Sequence, residues 1–196
     1  MTAEPLPAWA IPPRGGFTSD DLDRIPDLPP HTELIDGSLV FVSPQKSFHS
    51  PAMYLLEQGL RATAPETLRV RREMSLVLNT RNRPEPDLVL VRARRPRATR
   101  PTRPGYQAAD AVLVVEVVSP DSEERDRKRK PQLYAEAGIP HFWRVEKGGE
   151  GRLPVVYVFE REPATGAYIA TGIHHDRLKV SVPFAVDIDL SGIDRL

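Results

Sequence analysis

The stretch that decides the fold runs from Ala111 to Tyr134 and reads AVLVVEVVSPDSEERDRKRKPQLY. Its first part, from Val112 to Val118, is apolar apart from Glu116. An apolar run of this length predicts a strand that is buried on both faces of a sheet. A carboxylate in such a strand is costly unless it is paired with another group or binds a cation. Glu116 is therefore the first candidate for a functional residue.

A second acid opens another strand-like run upstream. Asp87 follows Pro86 and precedes the apolar residues LVLV, and the segment after the Glu116 strand contains Lys128 and Lys130. Two carboxylates on neighbouring strands, with a lysine beyond them, are the groups that metal-assisted hydrolysis of a phosphodiester requires. The lysine would orient the attacking water or stabilise the charge that develops on phosphorus.

The predicted metal is Mg²⁺ or Mn²⁺, because both ions prefer hard oxygen ligands and keep several waters. Asp87 and Glu116 would supply two carboxylates from adjacent strands, and the backbone carbonyl of Val117 would supply a third ligand. Each residue also has a simpler interpretation. Asp87 could cap a turn at a strand start, Glu116 could form a buried ion pair, and the two lysines could belong to a solvated charged face.

Length and composition are those of one globular domain. The chain has 196 residues, no cysteine and 21 prolines, so disulfides and thiolate zinc sites are excluded and loops are abundant. We expect a flexible arm over residues 1–16 and a single domain over residues 17–196. No apolar run approaches the ~20 residues of a membrane helix, and the start lacks the pattern of a secretory signal. A cytoplasmic protein is the simplest interpretation.

The charge of the chain is unevenly distributed, although its net value is zero. In the segment VRARRPRATRPTRP, from Val91 to Pro104, every charged residue is an arginine. Such a segment could follow a phosphate backbone, and its binding would depend strongly on salt; a solvated, proline-stiffened loop is the alternative. The candidate nucleic-acid-binding residues are Arg94, Arg95, Arg97 and Arg100.

The remaining elements follow from turn signals and hydrophobic periodicity. Pro131 fits best as the first residue of a helix that ends at Ala137, and a bend between two short helices is the alternative. The mixture of hairpins, helices and central strands predicts an α/β fold with a mixed sheet. The other predicted elements are, in chain order, a short helix ending at Arg24, a hairpin over Glu33–Val42, a helix capped by Ser47 or Ser50, a strand over Leu68–Leu78, a strand over Ile139–Val145, a hairpin of Val155–Glu160 with Ala167–Thr171, and strands near Val180 and Val186.

Several motifs occur in the order seen in one known family. ELIDGSLVFVSP comes first, followed by His49 at a predicted helix start, PEPDLVLV, VLVVEVVSP, a D-x-x-x-K-x-x-x-Y pattern and AGIPHFWRVE. The pattern consists of Asp126, Lys130 and Tyr134. Together these motifs resemble the Uma2 (DUF820) family of restriction-endonuclease-like proteins, within the PD-(D/E)-x-K nuclease superfamily. The resemblance covers most of the chain.

The resemblance implies a restriction-endonuclease-like core, in which a central mixed sheet is flanked by helices and two strand acids hold Mg²⁺ or Mn²⁺. By position, Asp87 is the first acid of the motif and Glu116 the second. The motif expects lysine two residues after Glu116, where this chain has Val118. The resemblance offers Lys130 as a lysine that has moved to the following helix, with Lys128 as its competitor.

The resemblance also implies further residues around the site. Glu33 resembles an N-terminal acid that some superfamily members add to the metal centre, although an acid on a hairpin is more often exposed. On a continuous helix, Asp126, Lys130 and Tyr134 would share one face. His49 matches a recurrent histidine at a helix start, and helix capping is its simplest role.

Two functions are consistent with the sequence, and a hydrolase of smaller phosphoesters is a weaker third. The first is a metal-dependent endonuclease that cleaves DNA with an activated water through Asp87, Glu116 and Lys130; cutting both strands of a duplex would favour a homodimer. The second is a catalytically inactive protein of the same fold that binds nucleic acid or a protein partner. The order of the acids and the lysine favours the first function, whereas Val118 and the zero net charge favour the second.

Overall fold

A computed structural model describes four segments of the chain, residues 7–41, 47–93, 105–149 and 153–196. The predicted hairpin residue Val42 lies outside these segments. The predicted nucleic-acid-binding residues also lie outside them, namely Arg94, Arg95, Arg97 and Arg100. No helix in the four segments is both long and apolar enough to cross a membrane.

The described residues fold into short strands interspersed with three α-helices, which is the α/β content that the sequence predicted. The helices are α1 (Ser19–Leu22), α2 (His49–Thr63) and α3 (Lys130–Glu136), with a π-helical turn at Arg125–Arg129 and 3₁₀ turns at Ala8–Ala10, Ala108–Asp110 and Leu190–Arg195. The strands are β1 (Thr32–Ile35), β2 (Ser38–Phe41), β3 (Leu68–Arg72), β4 (Leu76–Val77), β5 (Leu88–Arg92), β6 (Tyr106–Gln107), β7 (Ala111–Val117), β8 (His141–Lys147), β9 (Pro154–Arg161), β10 (Tyr168–His174), β11 (Arg177–Val180) and β12 (Val186–Asp189).

A six-stranded mixed sheet in the order β10-β9-β8-β7-β5-β3 forms the centre of the fold. Within it β7 and β8 run parallel, because the π-turn and α3 between them return the chain across the sheet. All 7 residues of β7 are buried, which confirms the prediction of a strand covered on both faces. The pairs β1-β2, β4-β6 and β11-β12 form separate two-stranded sheets. The predicted central mixed sheet is therefore confirmed.

The two faces of the central sheet are covered by different helices. Successive side chains point to opposite faces of a strand. Val115 of β7 accordingly belongs to the same core as Leu56 of α2, whereas Val114 belongs to the core that contains Tyr134 of α3. Glu116 continues the alternation of Val114, so its side chain lies on the α3 face.

The helical segment after β7 changes its geometry just before Pro131. Arg125–Arg129 forms a π-helical turn, and the N–H of Lys130 donates to the carbonyl of Arg125, five residues earlier. Proline has no N–H, and in a regular helix its ring would clash with the carbonyl four residues before it. The wider π-turn accommodates Pro131 in the first turn of α3. The predicted helix forms, but its predicted start at Pro131 is wrong, because the helical segment runs without a break from the π-turn at Arg125–Arg129 into α3.

Two predicted elements are wrong in detail. The predicted strand over Leu68–Leu78 is divided into β3 and β4, because Glu73 between them has a positive φ of 48° that strands do not accept. The predicted capping of α2 by Ser47 or Ser50 is also wrong, since Phe48 stands at the cap position without a side-chain hydrogen bond. The hairpins β1-β2 and β9-β10 and the final strands β11 and β12 form as predicted.

The N-terminal residues from position 7 onward lie next to the first hairpin. The ring centroid of Trp9 is 6.0 Å from that of Phe41 in β2, and the N–H of Phe17 donates to the carbonyl of Gly37 at 2.7 Å. The division into an arm over residues 1–16 and a domain over residues 17–196 stays a prediction.

Candidate active site

The two predicted acids lie side by side at one end of the central sheet. Strands β5 and β7 are antiparallel neighbours in which Leu88 pairs with Val115, so Asp87 and Glu116 are each one residue further along the same register. The backbone N–H of Val117 donates to Asp87 Oδ2 at 2.6 Å. Asp87 is 9% exposed and Glu116 is 2% exposed. The structure thus brings the two carboxylates together in a buried place.

Lys130 brings an ammonium group to these acids. Its Nζ lies 3.0 Å from Glu33 Oε1, 3.3 Å from Glu116 Oε1 and 3.2 Å from Asp126 Oδ1. The lysine is buried. Lys128, the competing candidate, has an exposed side chain that pairs with a neighbouring surface acid. The structure therefore places Lys130 among the acids and Lys128 on the surface.

Glu33 reaches the site because the first hairpin docks against the chain before β5. Leu34 forms an isolated antiparallel bridge with Arg83, and the Glu33 carboxylate accepts a hydrogen bond from the backbone N–H of Glu85 at 2.8 Å. Glu33 is buried. The expectation that an acid on this hairpin would be exposed is wrong, because the docking covers the inner face of β1.

Three helical residues present one face to Glu116. Asp126 lies in the π-turn, and Lys130 and Tyr134 follow in α3. All three are buried, and the hydroxyl of Tyr134 donates to Glu116 Oε1 at 2.5 Å. The predicted shared face is confirmed, because the π-turn keeps the three side chains together in spite of Pro131.

His49 contacts the other acid. It is the first residue of α2, and its Nε2 lies 2.9 Å from Asp87 Oδ1. The histidine is buried, and it makes no capping hydrogen bond at the helix start. The simplest role expected from the sequence, capping, is therefore wrong. The start of α2 instead places an imidazole against the carboxylate of Asp87.

Val118 occupies the position at which the superfamily motif has lysine. Its N–H donates to the carbonyl of Val145, and it helps to line a cavity of about 310 Å³ together with residues that include His49, Ser119 and Lys147. The ammonium group beside Glu116 belongs to Lys130 of α3. Because His49 lines the cavity and also contacts Asp87, the cavity borders the acid site.

Comparison with known proteins decides the family. The model of the Uma2 family, described as "Putative restriction endonuclease", matches residues 19–191 of the chain. The chain belongs to the Uma2 family. Curated proteins give no match to the sequence.

The Uma2 assignment agrees with a solved structure of the same fold. The crystal structure of "a putative nuclease belonging to DUF820" from Anabaena variabilis is similar over 92% of this chain and 93% of that chain, with a TM-score of 0.64 and 16% sequence identity. At this level of identity the similarity shows the fold. It confirms the predicted nuclease-type core, a mixed sheet flanked by helices.

This Uma2 site contains more carboxylates than a single ammonium can neutralise. Burial raises the pKa of Glu116 well above its usual value, and the neighbouring acids add to the rise while Lys130 opposes it. Burial also raises the pKa of Asp126, again against the charge of Lys130. Burial alone would lower the pKa of Lys130, but the surrounding acids together raise it well above its usual value. The buried carboxylates of this site are Glu33, Asp87, Glu116 and Asp126.

The surplus of buried carboxylates fits a divalent cation, which would favour their charged form. Each carboxylate oxygen has two lone pairs, and Asp87 uses one on each oxygen for His49 and the N–H of Val117. In the part of the chain that the structure describes, no group of three or more His, Cys, Asp or Glu side chains is arranged to hold a metal. Mg²⁺ typically binds through one or two carboxylates and keeps several waters, so Asp87 and Glu116 fit as its protein ligands. The carbonyl of Val117 as a further ligand stays a prediction.

Sequence reasoning missed two backbone donors of the site. The N–H of Glu85 fixes the carboxylate of Glu33, and the N–H of Val117 fixes that of Asp87. Any residue can supply a backbone donor, so no local pattern marks these positions. They depend on the docking of the hairpin and on the register of two strands.

Proposed function

We propose that this Uma2 protein is a Mg²⁺- or Mn²⁺-dependent endonuclease that hydrolyses phosphodiester bonds of DNA. The observation that carries the proposal is the surplus of buried carboxylates around the ammonium group of Lys130. Buried charges without full compensation cost stability, so a cluster of this kind indicates a cationic ligand. Membership of the family described as "Putative restriction endonuclease" supports the same chemistry.

Each residue of the cluster has a place in the proposed chemistry. Asp87 and Glu116 would hold the cation through their carboxylate oxygens. When bound, a divalent cation activates water and stabilises the negative charge of the phosphoryl transition state. Lys130 would orient the attacking water or stabilise the same charge, and the 3.3 Å distance between its ammonium and Glu116 Oε1 supports this role. Glu33 and Asp126 hold that ammonium from its other sides.

DNA is the proposed substrate because the family is described as "Putative restriction endonuclease". The cavity beside His49 is lined by Ser47, Ser119 and Lys147, which can contact a phosphate backbone, and by Arg127, whose cation is already paired with Glu123 and Glu146 of the same lining. Cleavage of both strands of a duplex would be served by two copies of the chain related by two-fold symmetry. A homodimer on DNA is therefore part of the proposal.

A non-catalytic binding protein is the second candidate, and specific contacts favour it. Both oxygens of Asp87 already accept hydrogen bonds, and Oε1 of Glu116 contacts both Lys130 and Tyr134. Carboxylates whose oxygens are bound by groups of the protein itself could serve only to specify the fold, without binding a metal. Val118, which stands at the motif position for lysine, also favours the non-catalytic function.

Nicking of supercoiled plasmid in the presence of Mg²⁺ or Mn²⁺ separates the two candidates. The native protein should cleave with either ion and not with a chelator. Asp87→Asn, Glu116→Gln and Lys130→Met should each lower the rate by about 100-fold or more, because each removes a group that acts in the chemical step.

Lys128→Met is the matched control, since Lys128 lies two positions before Lys130 and its own side chain is exposed. It should retain the native rate. Cleavage that survives in all three site variants would assign the activity to another protein or another site. Folded native protein that never cleaves, yet shifts DNA or RNA in a gel, would favour the binding function.

A further inference from the structure

We propose that His49 is a positioning residue that fixes the carboxylate of Asp87 and thereby sets the metal affinity of the site. The proposal rests on the proposed function, since it assigns Asp87 as a metal ligand. Its geometric basis is the 2.9 Å contact between His49 Nε2 and Asp87 Oδ1. Both side chains are buried, at 4% and 9% exposure.

The direction of this hydrogen bond follows from the chemistry of the two groups. A carboxylate only accepts hydrogen bonds, so Nε2 carries the proton and donates it to Asp87 Oδ1. The second oxygen, Oδ2, accepts from the backbone N–H of Val117 at 2.6 Å. Two donors on two oxygens fix the plane of the carboxylate, and the remaining lone pairs stay available to a cation.

A purely structural role explains His49 less well. It is the first residue of α2 but caps no backbone group, and its Nδ1 is buried without a hydrogen-bond partner among the described residues. An unpaired buried nitrogen is costly, and an apolar residue of similar size would avoid that cost. The contact with Asp87 is the interaction that gives an imidazole an advantage at this position.

His49 contacts Asp87 and also lines the cavity of about 310 Å³. Replacement by alanine would leave Asp87 with the single donor of Val117, so the carboxylate could rotate about its Cβ–Cγ bond. Loss of a group that orients a metal ligand typically lowers metal affinity 10- to 100-fold. Glutamine, whose amide nitrogen can reach the place of Nε2, should preserve most of the affinity.

Calorimetric titration with Mn²⁺ tests the proposal on the full-length protein. His49→Ala should raise the Kd about 10-fold or more, whereas His49→Gln should stay within about threefold of the native value. His141→Ala is the matched control, because His141 lies at the start of β8 and also has a buried Nδ1 without a partner. It should leave the Kd unchanged. In nicking assays, the metal concentration for half-maximal rate should rise in His49→Ala, with partial recovery of the rate at saturating Mn²⁺.

A metal-free measurement decides whether the contact itself exists. In urea unfolding, the double variant His49→Ala with Asp87→Asn should be less destabilised than the sum of the two single variants. Strict additivity would overturn the contact, and coupling without any change of Mn²⁺ affinity would overturn the positioning role. If the native chain binds no Mn²⁺, both this proposal and the proposed function fail. If the native chain binds and cleaves, and His49→Ala does so equally, this proposal alone fails.

Discussion

At the scale of single residues, Glu116 depends on two partners for its place in an apolar strand. The hydroxyl of Tyr134 donates to Oε1 at 2.5 Å, and the ammonium of Lys130 lies 3.3 Å from the same oxygen. Removing one partner of a buried polar group costs more than the pair contributes net, because the remaining group loses its compensation. The contacts of Glu116 therefore bear on stability as well as on the proposed chemistry.

Tyr134→Phe should lower the free energy of unfolding by about 1–3 kcal/mol, because it removes a buried donor to a carboxylate without creating a large cavity. Tyr168→Phe is the matched control, since the hydroxyl of Tyr168 donates to the carbonyl of Ile139 at 2.9 Å, outside the acid cluster. Urea unfolding should show a loss for both variants, and Mn²⁺ calorimetry should show a changed affinity for Tyr134→Phe alone. Equal affinities in the two variants would contradict the assigned contact.

The stability of the metal-free chain should carry a pH dependence from Glu116. Burial raises the pKa of Glu116 in the folded state, so the unfolded chain releases this proton at a lower pH than the folded chain does. The stabilising contribution is complete below about pH 4, the usual range of a carboxyl group, and it is lost as pH rises through the raised folded pKa. The loss approaches about 1.4 kcal/mol per pH unit for one proton.

Urea unfolding at a series of pH values between about 4 and 8 measures this effect. The free energy of unfolding of Glu116→Gln should fall less steeply with rising pH than that of the native chain, because the amide has no proton to release. Asp126 has a raised pKa from the same cause, so Asp126→Asn should also flatten the profile. Parallel profiles for all three proteins would show that the folded pKa values are not raised.

At the scale of elements, most of the structure near the site follows from local pattern. The apolar runs after Asp87 and around Glu116 predict two buried strands, and both form as neighbours. The break at Glu73 has no comparable signal, because a positive φ there reflects the path that the chain takes between two sheets. The π-turn could be predicted only in part. Pro131 indicates an irregular helix, but which side chains of that helix share one face depends on its packing against β7.

The first hairpin is an element on which the site depends, because it carries Glu33 to Lys130. Its turn has Gly37 at a φ of +79°, and a Cβ at this position would lie 2.5 Å from Nη2 of Arg81. Gly37→Ala should therefore destabilise the protein by about 1 kcal/mol or more, through both the backbone strain and the clash.

Gly149→Ala is the control for this turn, because a Cβ there meets nothing within 4 Å and the φ is not positive. Thermal unfolding should show a lower Tm for Gly37→Ala and nearly the native Tm for Gly149→Ala. Since the hairpin holds Glu33, plasmid nicking should also weaken in Gly37→Ala. An unchanged Tm would mean that the turn relaxes and moves Arg81 without cost.

At the scale of the whole molecule, the sequence alone predicts which residues form the candidate site better than it predicts the contacts of those residues. Asp87 and Glu116 stand out because acids are rare within buried strands, and the helical spacing groups Lys130 with Asp126. The burial of Glu33 and the partner of His49 could not be predicted, since both depend on contacts between segments far apart in the chain. Local pattern has no information on how a hairpin docks or where a helix start meets a strand.

The proposed cation should stabilise the whole molecule. A ligand that binds only the folded state stabilises it by about 2.7 kcal/mol at a concentration 100 times its Kd. For a domain of this size, about 2–4 °C of Tm accompanies each kcal/mol, so saturating Mn²⁺ should raise the Tm by about 5–11 °C. Glu116→Gln and Asp87→Asn should lose most of this increase, because each removes a carboxylate ligand. Lys128→Met should retain it, since its ammonium lies outside the cluster. A rise of equal size in all four proteins would place the bound ion elsewhere and contradict the assignment of the two acids.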